Sequence, residues 1–162
     1  SDVYKRQNDK SSIRAYIFKL QHMIQKFNNF KINTSGQKLY EFTDQTINWI
    51  KTNKFKNGIL NLSIQHTSAS LIIQENADPD VQTDLINYFN NLAPMDNKLY
   101  IHTTEGKDDM PAHIKASLTN NQISLSVENG ELLLGTWQGI YLFEHRLKPQ
   151  IRTIIHHFLG EI

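Results

Sequence analysis

Cysteine is absent from the 162 residues, which removes disulfides, thiolate zinc sites and cysteine nucleophiles together. Charge of either sign is not in excess: 17 Lys+Arg stand against 16 Asp+Glu, a formal net charge of +1. No net field therefore directs the chain to nucleic acid or to a membrane surface. No apolar run approaches the roughly 18 residues of a membrane span. The opening SDVYKRQNDKSS is polar and unlike a signal peptide. A Gly-rich phosphate loop, a G-x-S-x-G elbow and an H-E-x-x-H helix are missing as well. What remains is 39% hydrophobic and 20% charged, an ordinary globular composition of a size for one domain. The expectation is a cytoplasmic protein with one domain over residues 13–162. Residues 1–12 are expected to be a disordered tail or a cloning remnant.

Local patterns give most of the elements. Ile13–Phe18 can open a strand or a helix, and Lys26–Ile32 reads as extended. After a turn at Gly36, Leu39–Phe42 forms a short strand. Thr43 follows as a helix N-cap, with Phe42 and Ile47 as a hydrophobic staple. That helix runs to about Asn53. In Gly58–His66, Leu60, Leu62 and Ile64 alternate with Asn61, Ser63 and Gln65, the period of a half-buried strand. A second strand covers Ala69–Glu75. Asp78-Pro79 starts a helix with a capping carboxylate and proline at its first position. Its apolar stripe of Val81, Leu85, Tyr88, Phe89 and Leu92 predicts packing on the core, with Asp84 partly buried beside it. A polar loop over 95–109 leads to a short helix, Met110–Leu118. Ile123–Val127 alternates again, Asn129-Gly130 is a hairpin turn, and a long return strand is expected over Leu132–His145. Ile151–Phe158 closes the chain. The sum is an α+β domain of largely antiparallel, sandwich-like β-sheets with about three helices.

Chemistry concentrates first in His66–Asp84, HTSASLIIQENADPDVQTD. Thr67 and Ser68 shape a turn and Asp78 caps a helix, which leaves His66, Glu75 and Asp84 without a structural role. His66, His102 and His113 each stand at an element end near carboxylates, namely Glu75, Glu105, Asp108 and Asp109. Three histidines meeting an acid can bind zinc or a similar divalent ion. They serve equally well as an acid–base or a phosphate-binding set, and their spacing matches no short metal motif. His22, His145, His156 and His157 read as ordinary structural histidines. The second cluster is Gly135–Arg146, GTWQGIYLFEHR, where Gln138 and Glu144 share a face and must find partners. Trp137 reads as core, and Glu144 either belongs to a site or pairs with an arginine such as Arg152. Lys107 and Lys115 bracket Asp108–His113 and can meet an anionic substrate.

The combination His66-Thr67-Ser68-Ala69, Glu75-Asn76-Ala77-Asp78, Asp84-Leu85, Tyr100 with His102, Asp108-Asp109-Met110-Pro111-Ala112-His113-Ile114-Lys115, Asn129-Gly130 and Gly135-Thr136-Trp137-Gln138-Gly139-Ile140 resembles the YjbQ-like family. The match runs in order from about residue 25 to Gly160-Glu161. That family is described as secondary thiamine-phosphate synthase enzymes. Departures are mild: Thr119-Asn120-Asn121 replaces a glycine-containing turn, and Glu131 follows Asn129-Gly130 where a basic or neutral residue is common.

The resemblance implies a compact α+β fold assembled as a homotrimer, with shared polar residues in a pocket near subunit contacts. Carried onto this chain, the pocket holds His66, Ser68, Glu75, His102, Asp108, Asp109 and His113, with Gln138 and Glu144 as candidates. The expected division of labour has His66, Glu75, Asp109 and His113 catalytic. Ser68, Asp108, Lys115, Gln138 and Glu144 would bind substrate, and His66, His102 and His113 would hold a divalent metal, Zn or Mg. The implied reaction joins a pyrimidine-methyl diphosphate to a thiazole phosphate and expels pyrophosphate, so the expected partner is a small phosphorylated substrate or anion. A metal-dependent hydrolase of another phosphoester, or a non-catalytic trimeric ligand-binding protein, would use the same residues.

Overall fold

The structure is a computed structural model, described over residues 23–162; the expected tail and the undecided segment 13–22 lie outside these. The strands are β1 (Met23–Thr34), β2 (Lys38–Glu41), β3 (Gly58–Ile64), β4 (Ala69–Glu75), β5 (Gln122–Glu128), β6 (Glu131–Leu132), β7 (Gln138–Glu144) and β8 (Gln150–Glu161). The helices are α1 (Thr43–Thr52), α2 (Pro79–Leu92) and α3 (Asp109–Leu118). Among the described residues none is long and apolar enough to cross a membrane. A five-stranded sheet runs β1-β8-β3-β5-β6 and a three-stranded sheet runs β2-β7-β4, every pairing antiparallel. Among the described residues the chain adopts the expected α+β class, with antiparallel sheets and three helices.

The period-two patterns explain the layering. Leu60, Leu62 and Ile64 of β3, Leu125 and Val127 of β5, and Ile154 and Phe158 of β8 meet Leu71 of β4 and Ile140 and Leu142 of β7 in one buried cluster between the sheets. A second cluster, Leu39, Tyr141 and Phe143, lies on the far face of the small sheet, covered by Leu85, Ile86 and Phe89 of α2. Burying a side chain of this size is worth about 1.5–3 kcal/mol, so the two clusters hold the small sheet from both sides. Where β3 crosses β8, Gly58 faces Gly160. A Cβ on either would strike Leu159 O or Asn57 O, so this crossing admits only glycine.

Local capping follows the sequence at α2, where Asp78 accepts from the Asp80 amide and proline follows it. Asn129 and Gly130 both adopt positive φ, 52° and 82°, as a two-residue hairpin turn of type I′ requires. Four expectations are corrected. Thr43 is the first residue of α1, and Phe42 is the cap. The Thr43 hydroxyl instead donates to Glu41 and accepts from the Ile140 amide, a tertiary bond that outweighs a local cap. The long return strand is broken: β6 stops at Leu132, and β7 starts at Gln138 in the other sheet. The Gln138 side chain closes the intervening turn by accepting from the Gly135 amide. Trp137, on that turn, is 63% exposed rather than core. Asp84 is exposed, because α2 covers the sheet with its Leu85–Phe89 side only.

Candidate functional site

The site forms where two chain segments end against each other. Asp109 and His113 lie one helical turn apart at the start of α3, so their side chains share a face. His102 approaches from the preceding loop. Asp109 Oδ2 is 2.8 Å from His102 Nε2 and 3.3 Å from His113 Nε2. From the other side Arg146, just past the end of β7, donates to Asp109 Oδ1. Arg146 Nε also donates to Asp108 Oδ2 at 3.0 Å, and its Nη2 to the Glu105 carbonyl at 2.9 Å. Asp108 occupies the cap position of α3 without capping it, since Oδ2 is turned to Arg146 and to the Leu147 amide at 2.8 Å. Burial works against its ionisation, but the Leu147 amide and Arg146 prevail and hold its carboxyl below the usual range. Two carboxylates and one guanidinium leave this centre with one net negative charge while both histidines are neutral.

The proton positions at His113 follow from its neighbours. Its Nδ1 lies 3.0 Å from the Thr67 carbonyl, which can only accept, so Nδ1 carries the proton. A neutral His113 then aims a bare Nε2 lone pair at the carboxylate oxygen of Asp109. Two lone pairs at that separation repel, and a shared cation, either a proton or a metal ion, relieves the conflict. Ligand atoms of His102, Asp109 and His113 all lie within 4.8 Å of one another. Two imidazoles and one carboxylate, with His113 braced by a backbone carbonyl, fit a divalent ion that keeps open positions.

His66 stands next to this centre. Its Nε2 accepts the Thr153 amide at 2.9 Å, so its proton is on Nδ1 when neutral. Burial first, then Arg152, lowers its pKa against the opposing pull of Glu144. His66 and His113 share the wall of a pocket of about 250 Å³. Thus the chain brings His102, Asp109 and His113 to one point and sets His66 one pocket-width away, outside that three-residue set.

The other expected site residues have different positions. Glu144 is fully buried and its oxygens are taken: Oε2 accepts Arg152 Nε at 2.7 Å and Thr34 at 2.9 Å, and Oε1 accepts Arg152 Nη2 at 2.6 Å and the Arg146 amide at 3.0 Å. Its expected role in holding substrate is corrected to a buried anchor, the arginine-paired reading. Ser68 is buried on the same pair, its hydroxyl accepting from Arg152 at 3.1 Å. Lys115 is 0% exposed and donates to Asn90 at 2.5 Å, so it faces inward and is closed to a ligand from solvent. Burial lowers its pKa to about 8, with Asp108 pulling the other way. Glu75 and Gln138 face each other at the far end of the β4–β7 pair, six register steps from Ala69–Glu144, or about 20 Å. Within one chain they belong to no common site with His66. His145 and His156 are structural, as expected: His145 bonds Ser70 at 2.9 Å and His156 bonds Thr46 at 3.1 Å. His22 lies outside the described residues.

Sequence reasoning missed Arg146 as the residue that binds both aspartates. The usable signal was charge: Asp108-Asp109 is an acidic pair in a site-like segment and needs a cation, and Arg146 ends the Gly135–Arg146 cluster.

Comparison with known proteins agrees with this architecture. A UPF0047 protein of Synechocystis sp. PCC 6803 is 48% identical over 131 residues, 81% of this chain and 89% of that protein. The UPF0047 protein YjbQ of Escherichia coli O157:H7 is 45% identical over 120 residues, 74% of this chain and 86% of that one. A crystal structure of an uncharacterised YjbQ/UPF0047 protein from Clostridium acetobutylicum superposes with a TM-score of 0.72 at 32% identity, covering 83% of this chain and 99% of that chain. A YbjQ-like protein of unknown function from Sulfolobus solfataricus shares the fold, with a TM-score of 0.79 at 24% identity over 86% of this chain and all of that one. The family model for UPF0047 protein YjbQ-like matches residues 28–161, and the chain belongs to that family.

Proposed function

We propose that this protein is a small enzyme acting on a phosphorylated small molecule at His102, Asp109 and His113, with thiamine-phosphate synthesis as the reaction to test first. The observation that carries the reading is the His113 tautomer. With Nδ1 bonded to the Thr67 carbonyl, Nε2 and Asp109 Oδ2 converge with His102 on a point that demands positive charge. Such a point suits a phosphoryl group, either through a bound cation or through two imidazoliums.

A divalent ion, when bound, supplies Lewis-acid polarisation of a phosphoryl oxygen. His102 Nε2, His113 Nε2 and Asp109 would hold it. Arg146 fixes Asp109 in rotation, and Asp108 keeps Arg146 in place. In the proton form, His102 and His113 each share a proton with Asp109, and either can release it toward a departing diphosphate oxygen. The reaction forms one bond at the pyrimidine methylene, breaks its bond to the diphosphate oxygen, and releases pyrophosphate.

The decisive experiment mixes purified protein with both thiamine precursors. Thiamine phosphate and pyrophosphate should form, with loss of about a hundredfold or more in His102→Ala and His113→Ala. Metal analysis of the same preparations distinguishes the two forms of the centre. Phosphoester hydrolysis without coupling, lost in the same variants, would instead establish the hydrolase. Absence of turnover with retained ligand binding would leave a binding protein and refute the enzyme. The functional unit we propose is a homotrimer, supported by the outward face of the large sheet, where Phe27, Ile59 and Ile151 are all more than half exposed. Apolar area of this kind marks association surfaces, and light scattering in solution tests it.

A further inference from the structure

The pocket beside the histidine centre has a chemistry of its own. It is lined by His66, Ala69, His113, Ala116, Ser117 and Asn121, among others, and encloses about 250 Å³, roughly eight times the liquid volume of a water molecule. No lysine, arginine, aspartate or glutamate contributes to the lining. An anion placed there would meet no lysine or arginine to balance its charge.

Hydrogen-bonding roles in the lining are set by bonds made elsewhere. His66 accepts the Thr153 amide through Nε2, so it offers an N–H from Nδ1 and no lone pair. Ser117 commits its hydroxyl proton to the Ile114 carbonyl at 2.7 Å, so its oxygen is left to accept. The Asn121 carboxamide makes no hydrogen bond among the described residues, while its backbone carbonyl is held by the Ile64 amide at 3.0 Å. One donor, one acceptor and one amide that supplies both therefore ring a floor of alanine methyl groups. The matching guest is uncharged, flat and small, and carries a donor and an acceptor of its own.

We propose that this pocket is the recognition subsite for an uncharged, hydrogen-bonding ring of the substrate, read by His66, Ser117 and Asn121. His113 belongs to both the pocket wall and the histidine centre. One molecule can therefore place its ring here and its charged end at His102 and Asp109. That second half rests on the function proposed above; the pocket's preference does not.

The test is a titration followed by side-chain NMR of the protein as purified, with nicotinamide and its isosteric anion nicotinate as probes. Nicotinamide should shift the Asn121 side-chain amide and the His66 ring signals with saturation. Nicotinate should act on them at least about tenfold more weakly, since its carboxylate offers no donor to Ser117 and meets no lysine or arginine in the lining. Asn121→Leu and Ser117→Ala, both at exposed positions, should each weaken nicotinamide about five- to tenfold, the effect of one lost hydrogen bond. His102→Ala should leave nicotinamide binding intact. Equal response to both probes, no saturable shift at Asn121, or unaltered affinity in Asn121→Leu would overturn the subsite. Because no turnover or metal enters the readout, failure of the proposed reaction would not disturb this result, nor would its success rescue it.

Discussion

Two arginine–carboxylate centres sit within three residues of each other at the end of β7, and they are opposites. At the first, Glu144 and Arg152 are both buried, and every oxygen of the carboxylate is used by Arg152, Thr34 or the Arg146 amide. At the second, Arg146 binds Asp108 and Asp109, but Asp109 also faces two histidines, of which His102 is 43% exposed. β7 ends at Glu144, whose side chain points inward, and Arg146 lies beyond the strand, where the chain is free to turn it toward α3. A saturated centre cannot bind a ligand without breaking. An open one with converging donors can, and that difference separates stability from chemistry in this fold.

The largest effect should come from cutting the closed centre. Glu144→Gln or Arg152→Leu leaves one charge buried without its partner, at about 3–5 kcal/mol. Urea denaturation should show the loss in the midpoint with little change in slope. A loss under about 1 kcal/mol would mean that this pair is no more structural than the other.

Acid should find the same region next. His145 lies between the two centres, fully buried, and burial, then Lys115, then Arg152 lower its pKa to about 3. The unfolded chain titrates near 6.5, so between about pH 3 and 6.5 it binds the proton that the fold refuses. Stability therefore rises with pH across that window and is level above it. At pH 4 the histidine contributes a destabilisation on the order of 3 kcal/mol. His145→Leu should flatten that limb of the stability–pH curve. An unchanged limb would assign the acid sensitivity to other groups, of which His156, lowered to about 4 by burial, is the nearest.

Asp109→Asn should invert the pattern seen at Glu144. Its Oδ2 neighbours are partly solvated, so unfolding should change by about 1 kcal/mol. Activity, or metal content where the ion form holds, should fall by about a hundredfold. Parallel denaturation and turnover measurements on this variant and on Glu144→Gln would erase the contrast if both lost the same property.

Much of the fold was legible because its signals are local. The alternation of Leu60, Leu62 and Ile64, the Asp78-Pro79 start and the Asn129-Gly130 turn each state their structure within a few residues. The sheet switch between β6 and β7 was hidden, since alternation continues on both sides of a break that depends on which sheet lies opposite. The site was legible in part. His102, Asp109 and His113 come together as their carboxylate-rich surroundings suggested. The separation of Glu75 from Ala69 is a matter of strand length, which the sequence does show. The partners of Arg146 lie 38 and 37 residues away, where no pattern of short period reports a contact and only their opposite charge points to it.

Lys115 tests the contrast between the centres most finely, because it lies behind both. Its charge is felt by Asp108 and by His145, yet its only bond among the described residues is to Asn90. That amide is itself paired with Gln37 at 2.9 Å. A buried ammonium with no carboxylate contact is disfavoured, and its pKa of about 8 lies below the roughly 10.4 of an unfolded lysine. The unfolded chain thus binds more protons between those values, and stability rises with pH across that interval, the penalty being complete below it. Lys115→Met keeps the stem and removes the charge. It should raise stability at pH 7 by about 1 kcal/mol, after the loss of the Asn90 bond is set against the relieved burial, and the gain should vanish toward pH 10. If Lys115→Met instead lost affinity for a phosphorylated ligand without gaining stability, the lysine would have to reach the open centre, and the division drawn here would fail at that residue.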